Sequence, residues 1–262
     1  MNNLLPFAIR LARQTGQLLM QYYRRTNLAT ELKADKTLVT EADLTADRLI
    51  SSALRETFPE DGLISEELQP VSPGDISRVW VIDPLDGTTN FSLGIPFWGV
   101  SIACLVDGWP EIAAVYFPVL DEMYSAERGK GACFNDTLLR VDSSMLNRPG
   151  TVFACCSRTY RRYNVSIPYK ARILGSAAYN FSILARGIAL LAFEATPKIW
   201  DIAGAWLVVS EAGATIQSLD GVTPFPITPA TEYRNHNYPT LAALNAELET
   251  NALSQIQPRP RV

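Results

Sequence analysis

Residues 80–91 place two aspartates, Asp83 and Asp86, at the end of an apolar run, and a Gly-Thr pair follows directly. Carboxylate oxygens are ligands that divalent cations prefer, and free N–H groups at a helix start bind anions. Carboxylates and a phosphate repel each other unless cations lie between them. The segment therefore predicts metal-assisted chemistry on a phosphate ester.

Each residue of this segment has an expected role. Asp83 and Asp86 could contact one ion, and the carbonyl of Leu85 between them offers a further oxygen. Gly87 permits the close approach of an anion because it has no side chain. The N–H groups of Gly87 and Thr88 would then hold phosphate oxygens at a helix start.

Three more acids, Asp43, Glu66 and Asp201, stand near the ends of predicted elements. A charge beside an apolar stretch is costly unless it is paired or metal-bound, and an all-oxygen ligand set favours Mg²⁺ over zinc. Each acid alone has a simpler explanation: Asp43 could complete a capping box with Thr40, and Asp201 could cap a helix. If Thr88 bonds to Asp43, its hydroxyl would orient or deprotonate an attacking water, which two metals would activate.

Hydrophobic periodicity predicts the elements that must position these acids. The run over 79–82 predicts a strand, which Pro84 should end because it has no N–H to donate. We expect helices over residues 4–25, 40–58, 177–186 and 200–212, the last stopped by Gly213. We expect further strands over residues 63–65, 100–106, 112–117, 122–125, 131–134, 151–155 and 170–173, and a frayed tail over 257–262. This order indicates a layered α+β fold with an antiparallel meander at its centre.

Bulk composition excludes several classes of protein. The 262 residues are 47% hydrophobic, enough for one large core or two fused halves. A net charge of −4 argues against nucleic-acid binding. Four cysteines without a C-x-x-C pair and a single histidine, His236 in a predicted loop, argue against structural zinc and disulfides. No apolar stretch is long enough for a membrane span or a signal peptide, so we expect a soluble, cytoplasmic protein.

Separated motifs together resemble the inositol monophosphatase family, part of a lithium-sensitive, Mg²⁺-dependent phosphatase superfamily that includes fructose-1,6-bisphosphatases. Residues 80–91 match the family pattern W-x-[IV]-D-P-[IL]-D-G-T-x-N-F, and residues 200–204 match W-D-x-A-[AG]. Smaller matches lie at Lys33, 40–43, 66–67, 129–132 and 175–178. The resemblance covers nearly the whole chain.

The resemblance implies one domain over 1–262 with a layered αβαβα sandwich. A metal-binding half would cover about 1–145 and a substrate-facing half about 146–256. It also implies a homodimer, a small phosphorylated alcohol as substrate, no nucleic-acid or membrane partner, and two or three Mg²⁺ ions.

The resemblance also implies roles for individual residues. The metal ligands would be Glu66, Asp83, Asp86, Asp201 and the carbonyl of Leu85. The residues acting on the catalytic water would be Glu66, Thr88 and Asp43. Phosphate and the alcohol portion of the substrate would contact Asp86, Gly87, Thr88, Ala177 and Glu194.

Three departures from the family pattern concern mainly the substrate. Ser65 stands where the family often has Gly, and we expect little consequence. Leu190 stands where members that hydrolyse inositol phosphates often carry Asp, so we expect a more apolar wall around the alcohol. A basic cluster either faces a second phosphate or forms a solvated face or dimer contact. This cluster comprises Arg158, Arg161, Arg162, Lys170 and Arg172.

Other activities remain open from the sequence. Inositol 1-phosphate is the leading substrate, and histidinol phosphate, fructose 1,6-bisphosphate and 3′-phosphoadenosine 5′-phosphate are alternatives. A haloacid-dehalogenase-like mechanism is disfavoured because it needs Asp-x-Asp, whereas two residues separate Asp83 from Asp86. A non-enzymatic regulatory or protein-interaction module is the remaining alternative.

Overall fold

The structure is a computed structural model that describes residues 3–23, 30–32, 38–67, 77–228 and 233–260. The match at Lys33 lies outside these residues. The described helices are α1 Leu4–Tyr22, α2 Glu41–Thr57, α3 Thr88–Leu93, α4 Thr159–Arg162, α5 Ala177–Ala185, α6 Ile199–Glu211 and α7 Ala246–Gln255, with a 3₁₀ turn at Ser143–Asn147. None of them is long and apolar enough to cross a membrane.

The described strands form two large sheets and two short antiparallel pairs. The first eight are β1 Thr30–Leu32, β2 Leu38–Thr40, β3 Gly62–Ser65, β4 Arg78–Asp86, β5 Gly99–Val106, β6 Trp109–Phe117, β7 Glu122–Glu127 and β8 Gly131–Phe134. The others are β9 Thr137–Leu139, β10 Val152–Cys155, β11 Tyr163–Val165, β12 Lys170–Arg172, β13 Ala189–Glu194, β14 Thr215–Ser218, β15 Thr240–Ala243 and β16 Ile256–Pro258. The two short pairs are β1 with β2 and β11 with β16.

A seven-stranded sheet runs in the order β3-β4-β5-β6-β7-β8-β9. Only β3 and β4 pair in parallel; the remaining neighbours are antiparallel, which confirms the predicted meander. One face is covered by α1 and α2, whose apolar stripes pack on alternate residues such as Trp80, Ile82 and Ile102. The other face packs on α5 and α6.

A five-stranded mixed sheet, in the order β12-β10-β13-β15-β14, lies on the far side of α5 and α6. Its outer face carries a third core against α7, with Phe153, Leu191 and Phe193 at its centre. The layers are therefore helix, sheet, helix, sheet, helix, and the expected αβαβα sandwich is confirmed. The chain passes between the sheets near the boundary expected at residue 145, but the division of roles between the halves stays a prediction.

Two local predictions were wrong. Strand β4 continues through Pro84 to Asp86, because its register shifts between Asp83 and Asp86 and the proline sits where the ladder is already irregular. Part of the tail is not frayed: Gln257 and Pro258 belong to β16, which pairs with β11 in antiparallel register.

Candidate metal and phosphate site

Strand pairing places Glu66 beside Asp83. The last residue of β3, Ser65, is in parallel register with Ile82, and the N–H of Glu66 donates to the carbonyl of Ile82 at 3.4 Å. The two acids are therefore the next residues along neighbouring strands. Two carboxylates that are 17 positions apart in sequence meet because the parallel register of β3 and β4 continues from Ser65 and Ile82 to Glu66 and Asp83.

Helix α6 brings Asp201 to the same edge. Asp201 lies in the first turn, where its Oδ2 accepts a 2.8 Å hydrogen bond from the N–H of Lys198. Asp201 therefore contributes to the N-terminal cap of α6. One turn later, Gly204 lets the helix approach the sheet closely, since a Cβ there would lie 2.7 Å from the hydroxyl oxygen of Ser101 on β5. Capping and cluster formation thus coexist at Asp201.

Glu66, Asp83 and Asp201 each direct an oxygen into one cluster, and these atoms lie within 4.8 Å of one another. Burial raises the pKa of Asp83 and of Asp201 well above the usual range, and the charges of Glu66 and Asp86 raise both further. A cluster of mutually repelling carboxylates with oxygen ligands alone fits a hard divalent cation such as Mg²⁺.

Asp86 lies next to this cluster but is not one of its three members. Its Oδ2 accepts from the hydroxyl of Ser176 at 2.5 Å and the N–H of Ala178 at 2.7 Å, and its Oδ1 accepts from the N–H of Ala177 at 3.2 Å. Burial raises the pKa of Asp86 to about 6, against these hydrogen bonds and with a contribution from Glu66. Asp86 therefore joins the end of β4 to the start of α5.

Asp43 combines the two roles that the sequence left as alternatives. Its Oδ2 accepts from the N–H of Thr40 at 2.8 Å, and its own N–H donates to the hydroxyl oxygen of Thr40 at 3.4 Å, which forms the capping box of α2; the Thr40 hydroxyl also donates to Oδ2 at 2.5 Å. Its Oδ1 accepts from the hydroxyl of Thr88 at 2.9 Å. Burial raises the pKa of Asp43 to about 6, opposed by these hydrogen bonds and helped by the charge of Glu66.

The Gly-Thr turn leads directly into helix α3. Gly87 has a φ of +94°, and a Cβ there would lie 2.9 Å from the carbonyl oxygen of Phe97, so glycine is required. The first N–H groups of α3, beginning at Thr88, have no acceptor within the helix. The carbonyl oxygen of Leu85 lies 3.2 Å from the Thr88 hydroxyl, facing the same turn.

Comparison with known proteins identifies the family. The chain matches the model of the inositol monophosphatase family over residues 1–253. It belongs to the inositol monophosphatase family. It is 35% identical to a Nus factor SuhB of Pasteurella multocida over 98% of this chain and 97% of the relative. It is 36% identical to a histidinol-phosphatase of Chlorobaculum parvum over 80% of this chain and 83% of that one.

Solved structures agree with the fold. The IMPase of Thermotoga maritima superposes with a TM-score of 0.80 at 28% identity, over 97% of this chain and 96% of that protein. The family and the histidinol-phosphatase among these relatives indicate a phosphatase, whereas the name Nus factor does not.

In this inositol monophosphatase family member, Glu194 ends β13 near the cluster. Its Oε1 accepts a 2.6 Å hydrogen bond from the amide nitrogen of Asn180 on α5. Burial raises the pKa of Glu194 to about 7, opposed by Asn180 and helped by the charge of Asp86. Ala177, which we expect beside the substrate, is the first residue of α5, and its N–H donates a hydrogen bond to Asp86.

Sequence reasoning missed the roles of three buried polar residues: Ser176 bonds to Asp86, Asn180 bonds to Glu194, and Asp47 bonds to Ser65, the residue before Glu66. Ser176 caps α5, and a serine before a predicted helix is a recognisable signal. Asn180 and Asp47 are fully buried polar residues within helices. Their only signal was a polar residue on an apolar stripe, which does not reveal the partner.

The departures from the family pattern take different positions. Leu190 lines a cavity of about 260 Å³ with Met145 and Ile188. Four positions along an extended strand, roughly 13 Å, separate it from Glu194. That Leu190 makes the wall around the alcohol more apolar stays a prediction.

The basic cluster is exposed throughout. Arg158 donates a 3.2 Å hydrogen bond to the hydroxyl of Thr196, and its charge opposes the rise in the pKa of Glu194. His236 lies in a loop, as expected, with its ring centroid 4.5 Å from that of Tyr238.

Proposed function

We propose that this protein is a Mg²⁺-dependent phosphomonoesterase that hydrolyses a small phosphate ester to an alcohol and inorganic phosphate. The observation that carries the proposal is the gathering of oxygens from Glu66, Asp83 and Asp201 within 4.8 Å of one another, beside the Gly-Thr turn. Carboxylates of this number and burial favour divalent cations, and the turn offers N–H groups to an anion.

The cations would be held by Glu66, Asp83 and Asp201, with Asp86 and the carbonyl of Leu85 completing two or three positions. When bound, they would activate the attacking water and stabilise negative charge on the leaving oxygen. The N–H groups of Gly87 and Thr88 would orient the phosphate for in-line attack.

Thr88 and Asp43 would handle the proton of the attacking water. The Thr88 hydroxyl donates to Asp43 and can accept from a water at the same time. A carboxyl whose pKa is about 6 is well suited to take a proton near neutral pH. Glu66 would orient the same water from the opposite side.

Inositol 1-phosphate is the leading substrate, with the alcohol contacting Glu194 and Ala177. The histidinol-phosphatase of Chlorobaculum parvum makes histidinol phosphate the main alternative. Fructose 1,6-bisphosphate and 3′-phosphoadenosine 5′-phosphate complete the set. A buried carboxyl such as Glu194 accepts hydrogen bonds from either a sugar hydroxyl or an amine, so measurement must rank these esters.

The test is a phosphate-release screen over these four esters with Mg²⁺, with EDTA, and with Mg²⁺ plus lithium. We expect hydrolysis of at least one ester that requires Mg²⁺ and is inhibited by lithium, through occupation of one metal position. Hydrolysis that persists in EDTA, or an aspartyl-phosphate trapped on Asp83, would overturn the proposed mechanism.

A protein-interaction role is the second candidate, because the SuhB of Pasteurella multocida, similar over nearly the whole chain, is named a Nus factor. Pull-down with the wild type and with Asp83→Asn separates the two functions. Partner capture that ignores the substitution, together with no hydrolysis by the wild type, would favour the interaction role.

A further inference from the structure

Helix α2 carries a stripe of buried polar residues beside its apolar one. Asp43, Asp47 and Ser51 recur every fourth residue, and all three are no more than 2% exposed. The neighbouring stripe, from Ala42 to Leu54, packs in the core against the seven-stranded sheet. Buried polar groups need partners, and Asp43 has its partners at Thr40 and Thr88.

Asp47 finds its partners in two serine hydroxyls. Its Oδ1 accepts from Ser51, one turn further along α2, at 2.8 Å. Its Oδ2 accepts from Ser65, the last residue of β3. The first contact stays within the helix, whereas the second ties α2 to the strand end that carries Glu66.

Hydrogen bonds hold the chain on both sides of Glu66, and Ser65 accepts one of them. The oxygen of its hydroxyl accepts from the N–H of Glu67 at 3.3 Å, and the N–H of Glu66 donates to the carbonyl of Ile82. The Ser65 hydroxyl in turn donates to Asp47. The peptide unit before Glu66 is therefore bonded to Ile82, and the peptide unit after Glu66 is bonded to Ser65. Sequence analysis expected Ser65 to have little consequence, but its hydroxyl lies at the centre of this network.

We propose that Asp47 and Ser65 form a positioning pair that sets the place of the Glu66 carboxylate and thereby the affinity of the site for divalent cations. The inference rests on the proposed function only in taking Glu66 as a metal ligand. Because Asp43 and Asp47 lie one turn apart on α2, the same helix would align the residues around the water and the carboxylate that binds the cation. Partners of metal ligands commonly contribute 10- to 100-fold to metal affinity, roughly the scale to expect here.

The experiment measures Mg²⁺ binding to the purified full chain by isothermal titration calorimetry, with Tm recorded in EDTA. Ser65→Ala removes the link to β3, and Ser51→Ala is its matched control, since it removes the other hydroxyl on the same carboxylate. We expect Ser65→Ala to weaken Mg²⁺ binding about tenfold and Ser51→Ala to leave it within about twofold. Both should lower Tm by similar amounts, because each leaves Asp47 one donor short.

A second variant separates positioning from stability. Asp47→Leu combined with Ser65→Ala replaces both partners by apolar groups, so no buried carboxylate is left short of a donor. We expect weakened Mg²⁺ binding with a higher Tm than Ser65→Ala alone. This variant also serves if Ser65→Ala does not fold.

The outcomes distinguish the inference from the proposed function. Equal Mg²⁺ affinities for Ser65→Ala and the wild type, or equal losses for Ser65→Ala and Ser51→Ala, would overturn the positioning role. A wild type that binds Mg²⁺ but hydrolyses no ester would overturn the proposed function, and the contrast between the serine variants would still support the inference. A wild type that binds no Mg²⁺ would overturn both.

Discussion

The seven-stranded sheet and the helices beyond it bring acids to the site in different ways. Glu66 directly follows β3, and Asp83 lies beside it on the neighbouring strand β4, so backbone pairing alone brings the two acids together. Asp201 comes from α6 and bonds to the N–H of Lys198 at the start of its own helix. Glu194 comes from the five-stranded sheet and bonds to the side chain of Asn180 on α5. Asp86 joins the two regions through three hydrogen bonds to the start of α5.

We expect a division between chemistry and recognition among these acids: Asp201 would join Glu66 and Asp83 in the chemistry, and Glu194 would serve recognition. The strand edge holds acids whose pKa values are raised mainly by burial and by one another, as expected for a place that is stable only with cations. Glu194 is bonded to the neutral Asn180, and we propose that it contacts the alcohol portion of the substrate. We therefore expect substitutions at the strand edge to affect turnover and those at Glu194 to affect substrate affinity.

The largest effect is expected at the strand edge. Asp83→Asn should lower kcat by at least about 10³-fold, since it removes charge that the reaction needs at a buried position. It should also raise Tm in EDTA, because it removes one of several mutually repelling carboxyls. Kinetics of phosphate release and thermal melts check both expectations.

The matched control for Asp83→Asn is Asp61→Asn in the same half of the molecule. Asp61 accepts from the side chains of Arg78 at 2.6 Å and Trp80 at 2.8 Å, away from the cluster. Its loss should lower Tm and leave kcat unchanged. If Asp83→Asn behaves like Asp61→Asn, the acid is structural and the division between the regions fails.

The junction between the regions comes next. Asp86→Asn should lower kcat by about 10²- to 10³-fold. It should also lower Tm, because an amide nitrogen cannot accept the hydrogen bonds that the carboxylate accepts from α5. Ser176→Ala, which removes the hydroxyl that donates to Asp86 and accepts from the N–H of Tyr179 as the cap of α5, should reproduce much of the loss in Tm with a far smaller loss in kcat. Equal kinetic losses would show that Asp86 acts only through the packing of α5.

The stability of the metal-free protein should fall as pH rises from about 4 to about 7. The pKa values of Asp43 and Asp86 are about 6 and that of Glu194 is about 7, all above the ordinary values, so the folded state binds more protons than the unfolded state in this window. Each raised pKa stabilises the folded state fully at a pH below the ordinary pKa of the group. This contribution to the free energy of unfolding is lost as the pH rises past the raised pKa. For a shift like that of Asp43 it is about 3 kcal/mol.

Mg²⁺ should cancel this loss of stability with rising pH, because a bound cation stabilises the ionised carboxylates of the folded protein. Denaturant titrations at a series of pH values, with EDTA and with Mg²⁺, measure both curves. A metal-free protein whose free energy of unfolding is flat or rises between pH 4 and 7 would contradict the repulsion assigned to the cluster.

The smallest effect is expected on the recognition side. Glu194→Gln keeps an oxygen for the amide of Asn180 but removes the charge, so it should raise KM about tenfold and change kcat less. Glu211→Gln is a suitable control, because Glu211 accepts from the N–H groups of Gly129 and Gly131, outside the cluster. A fall in kcat with unchanged KM for Glu194→Gln would place Glu194 with the chemistry and remove the distinction.

The fold was largely predictable where the signal is local. The central strands of the meander are nearly continuous apolar runs bounded by turns, and α2, α5 and α6 begin near the predicted residues. The short strands β13, β14 and β15 and helix α7 were not predicted. Their apolar runs are brief and acquire a structure only when they pack on one another across the five-stranded sheet.

The candidate site divides in the same way. Residues 80–91 carry their types and spacing within one segment, so the sequence could nominate Asp83, Asp86, Gly87 and Thr88 without any knowledge of the fold. Ser176, which lies 90 positions from its partner Asp86, could not be found in this manner. A single sequence shows that a residue is polar, but not which distant residue will meet it.

The sequence by itself determined the order of the elements, the oxygen-rich chemistry and the family likeness, because these depend on residue types and short spacings. Only the tertiary structure decided three contacts. Asp43 accepts hydrogen bonds from both Thr40 and Thr88, and Asp86 accepts hydrogen bonds from the start of α5. Asp47 bonds to Ser65, the strand residue before Glu66. Those contacts depend on how helices and sheets pack, and packing joins residues whose separation along the chain carries no local signal.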